Sequence, residues 1–309
     1  MIRLILIGLL AGLFFSSTFI LNRIMSLDGG HWVWSASLRY GYMILFLLAW
    51  FVLFKGPSEL KKVLRVFFRN WVFWTLAGTI GFGFFYALIC YSADHAPGWV
   101  VATTWQFTII ATLLVLLLFG RRFPKKTWLF SLLVFCGVLM VNLSQAKAVG
   151  LRDLISGAIP VLIAAFCYPM GNQMVWEGTN GNKKLPDVTD PVLKTPFARV
   201  LLMSLGSVPL WLILIATTSP PLPSSGQLIN TALVALFSGV IATSLFLQAR
   251  NLSETAGELA AVDATQSSEV LFALVGEIGL IETAVPDPFG ICGILITCAG
   301  IILFVCFQE

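Results

Sequence analysis

Charge is what this sequence has least of. Asp, Glu, Lys and Arg make up 11% of its 309 residues, against about 25% in soluble domains, which excludes an ordinary soluble protein. Histidine is almost missing, and the two present, His31 and His95, fall in expected loops. Neither His-Glu-x-x-His nor Gly-x-Ser-x-Gly occurs. Metal hydrolysis or intramembrane proteolysis would want a histidine or paired aspartates inside the bilayer. No enzyme, metal or cofactor is therefore expected. The six cysteines form no Cys-x-x-Cys pair and all sit in apolar stretches, so they read as small packing residues. No basic domain supports nucleic-acid binding; the net charge of +4 reflects topology instead.

What the chain does have is apolar length, 58% of it hydrophobic. A membrane span needs roughly 20 such residues. Ten stretches qualify, at about 4–22, 34–54, 71–92, 99–119, 128–145, 157–176, 197–217, 229–249, 259–281 and 289–307. Little chain remains for a soluble catalytic domain. The apolar start is too long for a signal core and has no clear cleavage site, so it counts as the first span.

The second five stretches echo the first five. Asn22-Arg23 ends the first and Asn172-Gln173 the sixth. Arg39 and Arg199 lie just inside the second and seventh, Gln106 and Gln266 within the fourth and ninth. Arg39 to Gln106 is 67 residues, as is Arg199 to Gln266. Gly137 and Gly300 interrupt the fifth and tenth in similar surroundings. Five is odd, so the second half must enter the membrane from the opposite side. The expected fold is an all-α polytopic membrane protein, ten transmembrane helices as two inverted five-helix repeats, 1–146 and 147–309. Inverted repeats of this kind build secondary transporters, with the site where the halves meet.

Orientation follows from Lys and Arg. With the N-terminus inside, 15 basic residues face the cytoplasm and three (Arg23, Lys147, Arg152) face outward. Both termini are expected in the cytoplasm of a cell inner (plasma) membrane protein. Trp32, Trp34, Trp71, Trp99, Trp128 and Trp176 lie near span ends, as interfacial anchors do. Residues 55–70 suit a short interfacial amphipathic helix, and 177–195 a flexible loop.

Polar residues inside the spans are the candidates for function. Glu258, Asp263, Gln266, Glu269 and Glu277 fall within about 140° of one helix face in the ninth. Intramembrane acids normally face a cavity, a partner or an ion path. Glu269, near the middle, and Asp263, nearer the cytoplasmic end, are the expected proton or cation site. A structural hydrogen-bonded face is the plainer alternative, above all for Glu258 and Glu277. The fourth span carries Gln106 and four threonines but no acid; Gln106 is expected to line a cavity and the threonines to tie helices together. Ser17 and Asn22 in the first span, and Tyr168 and Asn172 in the sixth, form polar patches. Pro169 is expected to break the sixth helix and free backbone carbonyls, or only to kink it. Trp34, Tyr40, Tyr86 and Trp105 are candidates to stack on an organic cation. Arg39 and Arg199, about one turn inside helix starts, read as capping or snorkelling residues, with gating contacts second.

With ten spans, a five-plus-five repeat and short loops, the chain resembles the drug/metabolite transporter superfamily in its EamA-like ten-helix branch. The resemblance rests on Ala11-Gly12-Leu13-Phe14-Phe15-Ser16-Ser17-Thr18-Phe19, on Arg39 with Arg199, and on Phe135-Cys136-Gly137-Val138-Leu139 with Cys298-Ala299-Gly300-Ile301-Ile302. It covers essentially the whole chain. It implies a central cavity lined by spans 1–4 and 6–9, with 5 and 10 peripheral, alternating access, and export of drugs, amino acids or other small metabolites. The family often closes its fourth and ninth helices with Gly-Glu; here the fourth ends Phe119-Gly120-Arg121-Arg122 and the ninth offers Gly276-Glu277. The related four-helix small multidrug resistance proteins carry an essential glutamate in their first helix. This chain has no acid in that span, so carboxyl-based proton coupling moves to the ninth or is absent.

The expected function is secondary active transport, with export as the expected direction, of a small cationic or zwitterionic metabolite or drug. Protons are a possible coupling partner, and no oligomer is required. The cation preference rests on charge: the ninth span brings up to two carboxylates near the midplane, and no lysine or arginine is expected at that depth. The rival is a channel or a lipid- or amphiphile-handling protein of the same fold.

Overall fold

The chain is described here from a computed structural model over residues 2–120, 125–149, 151–180, 185–252, 258, 262, 265–282 and 285–306. Those residues form helices and connecting turns, with no strand among them. Helix is the expected answer for long apolar segments, because in lipid each backbone N–H and C=O must find its partner within the chain.

We number the helices α1 (Ile2–Leu27), α2 (Trp32–Lys55), α3 (Pro57–Arg69), α4 (Trp71–Ala93), α5 (Gly98–Leu118), α6 (Lys125–Val149), α7 (Leu151–Thr179), α8 (Pro196–Thr218), α9 (Ser225–Phe246), α10 (Ser268–Ile281) and α11 (Pro288–Cys306). Seven of them, α1, α2, α4, α5, α7, α8 and α9, are long and apolar enough to cross a membrane over their described residues. α6 and α11 contribute shorter apolar stretches, Trp128–Ser144 and Pro288–Leu303. The described part of the ninth sequence span is the 14-residue α10 with a 3₁₀ turn, Thr265–Ser267, before it.

Several sequence expectations change on inspection. α1 continues past Asn22-Arg23 to Leu27. Residues 57–69 do form a short helix, with Val63 and Val66 buried and Lys61, Lys62 and Arg65 exposed. The 177–195 segment is partly built: α7 runs on to Thr179, and the chain folds back so that Val188 donates to the Gly178 carbonyl at 3.1 Å, with Val188 and Leu193 buried. Trp99 is 3% exposed and packed in the core, which removes it from the interfacial set.

Pro169 does not break its helix; α7 is continuous through Pro160 and Pro169. A proline lacks the N–H that would reach the carbonyl four residues earlier, here that of Ala165. The Thr108 hydroxyl of α5 donates to that carbonyl at 3.3 Å, a side chain from a neighbouring helix re-satisfying the freed group.

α6 and α11 pack chiefly on each other. Gly137 and Gly300 are the reason they approach so closely: a Cβ on Gly137 would meet the Gly293 carbonyl oxygen at 2.6 Å, and one on Gly300 the Val134 nitrogen at 2.9 Å. A second close approach joins α4 to α7 and α8. A Cβ on Gly81 of α4 would meet the Cα of Gly171 in α7 at 2.9 Å, and one on Gly206 of α8 the Trp74 carbonyl carbon at 2.6 Å. Such small-residue crossings are how helices associate in lipid, where the hydrophobic effect cannot drive them together.

Glu277 has a structural position. It is fully buried at the end of α10, and its carboxylate accepts from the backbone N–H of Gly98 at 2.6 Å and of Trp99 at 3.1 Å. Those are orphan donors of the first turn of α5, and an anion there also meets the favourable end of the helix dipole. Glu277→Ala should lower stability by about 2–6 kcal/mol, the cost of two buried N–H groups left unpaired at about 1–3 kcal/mol each, with Glu277→Gln intermediate because it keeps one acceptor. Thermal unfolding of the purified variants checks this; an Ala variant as stable as the parent would show that the cap carries no weight.

Candidate functional site

α5 is built from two helical pieces, Gly98–Trp105 and Thr108–Leu118. Between them the hydrogen bonds shorten to three-residue reach: Gln106 N–H to the Thr103 carbonyl (3.1 Å), Phe107 N–H to Thr104 (3.0 Å) and Ile109 N–H to Gln106 (3.1 Å). A tight stretch inside a helix commonly marks a functional hinge. α10 begins the same way, on the 3₁₀ turn Thr265–Ser267. The tight stretch of α5 and the 3₁₀ turn before α10 thus hold the glutamines that occupy matching sequence positions, Gln106 and Gln266.

Gln106 reaches the first turn of α10. The Gln106 side-chain amide donates to Glu269 Oε1 at 2.6 Å and to the Ala102 carbonyl at 3.2 Å. Gln106 is 4% exposed and Glu269 8%. Neither helix alone could satisfy these groups in a membrane interior; each supplies what the other lacks.

Beside this pair lies a cavity of about 290 Å³. Glu269, Gln266, Trp105, Tyr168 and Asn172, all expected at the site, line it. Trp105, Phe85 and Tyr168 form a ring triangle with centroids 4.9, 5.0 and 5.7 Å apart. Tyr40 also lines the cavity, stacked on Trp211 at 5.4 Å.

Other expected site residues stand elsewhere. Asn22 exchanges hydrogen bonds with the Tyr86 hydroxyl (3.0 and 3.2 Å) behind the wall. The Ser17 hydroxyl turns back to the Phe14 carbonyl at 2.6 Å and is not among the lining residues. Trp34 donates to the Pro221 carbonyl at 2.7 Å, away from the cavity. Asp263 lies outside the described residues.

Arg39 is the residue the sequence reading undervalued. α2 starts at Trp32, so Arg39 sits two turns into it, about 10 Å along the axis. It is 8% exposed and lines the same cavity as Glu269. The expectation that no cation shares the depth of the carboxylate therefore does not hold. The guanidinium rests over the Tyr86 ring, 4.0 Å from its centroid, and donates through Nη2 to the Ser238 hydroxyl at 3.2 Å. Ser238 comes from a π-helical segment, Ala235–Ala242, in α9. A matching π-helical segment, Thr79–Phe84, lies in α4, and π turns inside helices recur at functional sites. No proline marks either one, so the sequence carried no signal for them.

A family profile described as "EmrE: Putative multidrug resistance efflux transporter" matches residues 2–309. The chain belongs to this family. It is an integral membrane protein of the drug/metabolite transporter superfamily, as the sequence motifs implied. Among its relatives, the "Uncharacterized protein YjlA" of Bacillus subtilis (strain 168) is 39% identical, covering 97% of this chain and 94% of that protein. An "Uncharacterized 42.1 kDa protein in intracellular alkaline protease 3'region" of Shouchella clausii is 36% identical over 80% of this chain and 64% of its own length. A solved structure described as "Crystal structure of protein" shares the fold, with a TM-score of 0.61 at 14% identity, covering 98% of this chain and 95% of that one. Membership of this family points to a membrane efflux transporter.

Proposed function

We infer that the chain is a secondary transporter that carries a small organic solute by alternating access, built as two inverted repeats, 1–146 and 147–309. The observation that carries this reading is the contact at 2.6 Å between Gln106, in the tight stretch of α5, and Glu269, just after the 3₁₀ turn that precedes α10, beside a cavity. Interrupted helices meeting near the midplane are the recurring binding element of inverted-repeat carriers. The π segments of α4 and α9, the third and eighth spans and so each the third of its half, fit the same symmetry.

One end of the bundle is tied shut. Gln227 of α9 donates to the His31 carbonyl and the Ser35 hydroxyl, both at 2.9 Å, and Arg23 donates to the Ala93 carbonyl at 2.7 Å. The cavity instead reaches Leu47, Phe197 and Val200, toward the end rich in lysine and arginine. With that end in the cytoplasm, as the charge bias argues, this conformation receives solute from inside, as an exporter does before release. Glu269 is the proposed coupling group and Gln106 its positioning partner. Trp105 and Tyr168 face the solute.

Counterflow in proteoliposomes tests the reading. Vesicles loaded with unlabelled solute should transiently concentrate the labelled form, since a carrier must return through the same site. Saturation without this trans-stimulation would assign the protein to channels or lipid-handling proteins instead.

A further inference from the structure

A buried guanidinium is costly unless something pairs with it. Arg39 forms no ion pair among the described residues. Tyr86 supports its face and Ser238 takes Nη2, yet Nε and Nη1, both buried, have no hydrogen-bond partner among the described residues. A structural arginine would have its nitrogens consumed by carbonyls, as Arg199 does in donating Nε to the Leu193 carbonyl at 2.6 Å. Arg39 is instead held in place from one side, with donor capacity unspent, in the wall of the cavity.

We propose that Arg39 is a specificity-determining residue that binds the carboxylate of the solute, so that the cavity selects a small zwitterion over a bare organic cation. The assignment rests on reading the cavity as the transport site. Its two ionisable poles stand on different helices, Arg39 on α2 and Glu269 on α10. Between them the lining is mostly apolar and aromatic, including Phe19, Tyr40, Phe82 and Phe85. A bare cation satisfies Glu269 and is repelled by Arg39, and in a low-dielectric cavity that repulsion is poorly screened. A bare anion has the reverse difficulty. A zwitterion with a small apolar body satisfies both poles and the wall. Guanidinium–carboxylate hydrogen bonds are charge-assisted and about twice as strong as neutral ones.

Three probes that share a phenylethyl body isolate the charge: phenylalanine, 3-phenylpropionate without the ammonium, and phenethylamine without the carboxylate. Binding is measured by calorimetry on the purified full chain. Phenylalanine should bind at least about tenfold tighter than phenethylamine, a difference of about 1.4 kcal/mol. Arg39→Gln should remove that advantage by weakening phenylalanine and 3-phenylpropionate at least about tenfold while leaving phenethylamine unchanged or tighter, and Arg39→Lys should recover part of the loss. Equal weakening of all three probes by Arg39→Gln would reduce Arg39 to a structural role and overturn the proposal. So would a parent protein that binds phenethylamine as tightly as phenylalanine, or one that binds neither carboxylate at millimolar concentration. If the Gln variant does not fold, the order of the three probes on the parent decides. Labelled-phenylalanine counterflow separates this from the carrier reading: binding without counterflow removes the carrier and leaves the Arg39 assignment, whereas counterflow with phenethylamine alone does the opposite.

Discussion

Glu269→Gln should abolish transport driven by a pH gradient while leaving the chain folded. The substitution preserves shape, and the new amide oxygen can still accept from Gln106, which now donates to Glu269 Oε1 at 2.6 Å. What disappears is the ability to take up and release a proton. An ionisable side chain in a membrane interior is expensive to keep, and no basic residue pairs with this carboxylate among the described residues; a purely structural role would be filled as well by glutamine. In proteoliposomes with an imposed pH gradient, uptake should fall to the level of protein-free vesicles. Counterflow, which needs no gradient, should persist at saturating solute but with weaker apparent affinity, because Glu269 also faces the solute's ammonium, and thermal unfolding should move little. A variant whose transport still follows the gradient would remove Glu269 from the coupling role.

A second large effect is expected at Gly206. Here α8 crosses α4 so closely that a Cβ would run into the Trp74 carbonyl. The obstacle is backbone, so no side chain can rotate away, and the two helices must part along their contact. Gly206→Leu should cost about 3 kcal/mol or more, the upper range for overpacking, and separate Gly171 from Gly81 nearby. Gly41 of α2 is the control: nothing lies within 4 Å of where its Cβ would be. Gly41→Ala should be neutral or stabilising by up to about 1 kcal/mol, since alanine is the better helix former. Thermal midpoints of the purified variants separate the cases, and a tolerated Gly206→Leu would mean that the crossing is looser than described.

Much of this was legible because a membrane makes polar residues conspicuous. Gln106 and Glu269 stood out as polar groups in apolar runs. What the sequence hid was tertiary. Pro169 looked like a helix break because the threonine that answers its freed carbonyl sits 61 residues away, at Thr108. The tight stretch of α5 carries Gln106, and glutamine has no special backbone preference. Arg39 looked peripheral because the start of α2 was placed two residues late and because a long side chain near a helix end is expected to snorkel. The partner of Glu277 was invisible, since two backbone N–H groups of a distant helix leave no mark in the pattern of side chains. Gly137 and Gly300 were seen as interruptions and turn out to be the contact surface of α6 with α11.

The Glu277 cap also limits where the bundle can open. If α10 draws away from the start of α5, the N–H groups of Gly98 and Trp99 lose their carboxylate. Water can replace it, acceptor for acceptor, at little net cost; hydrocarbon cannot, and each bare N–H facing lipid costs several kcal/mol. Separation at that end is therefore permitted only where the gap floods as it forms. The bilayer itself acts as a one-sided constraint, closing the lateral route and leaving the aqueous one, so that a solute leaving by this end enters water before it meets lipid.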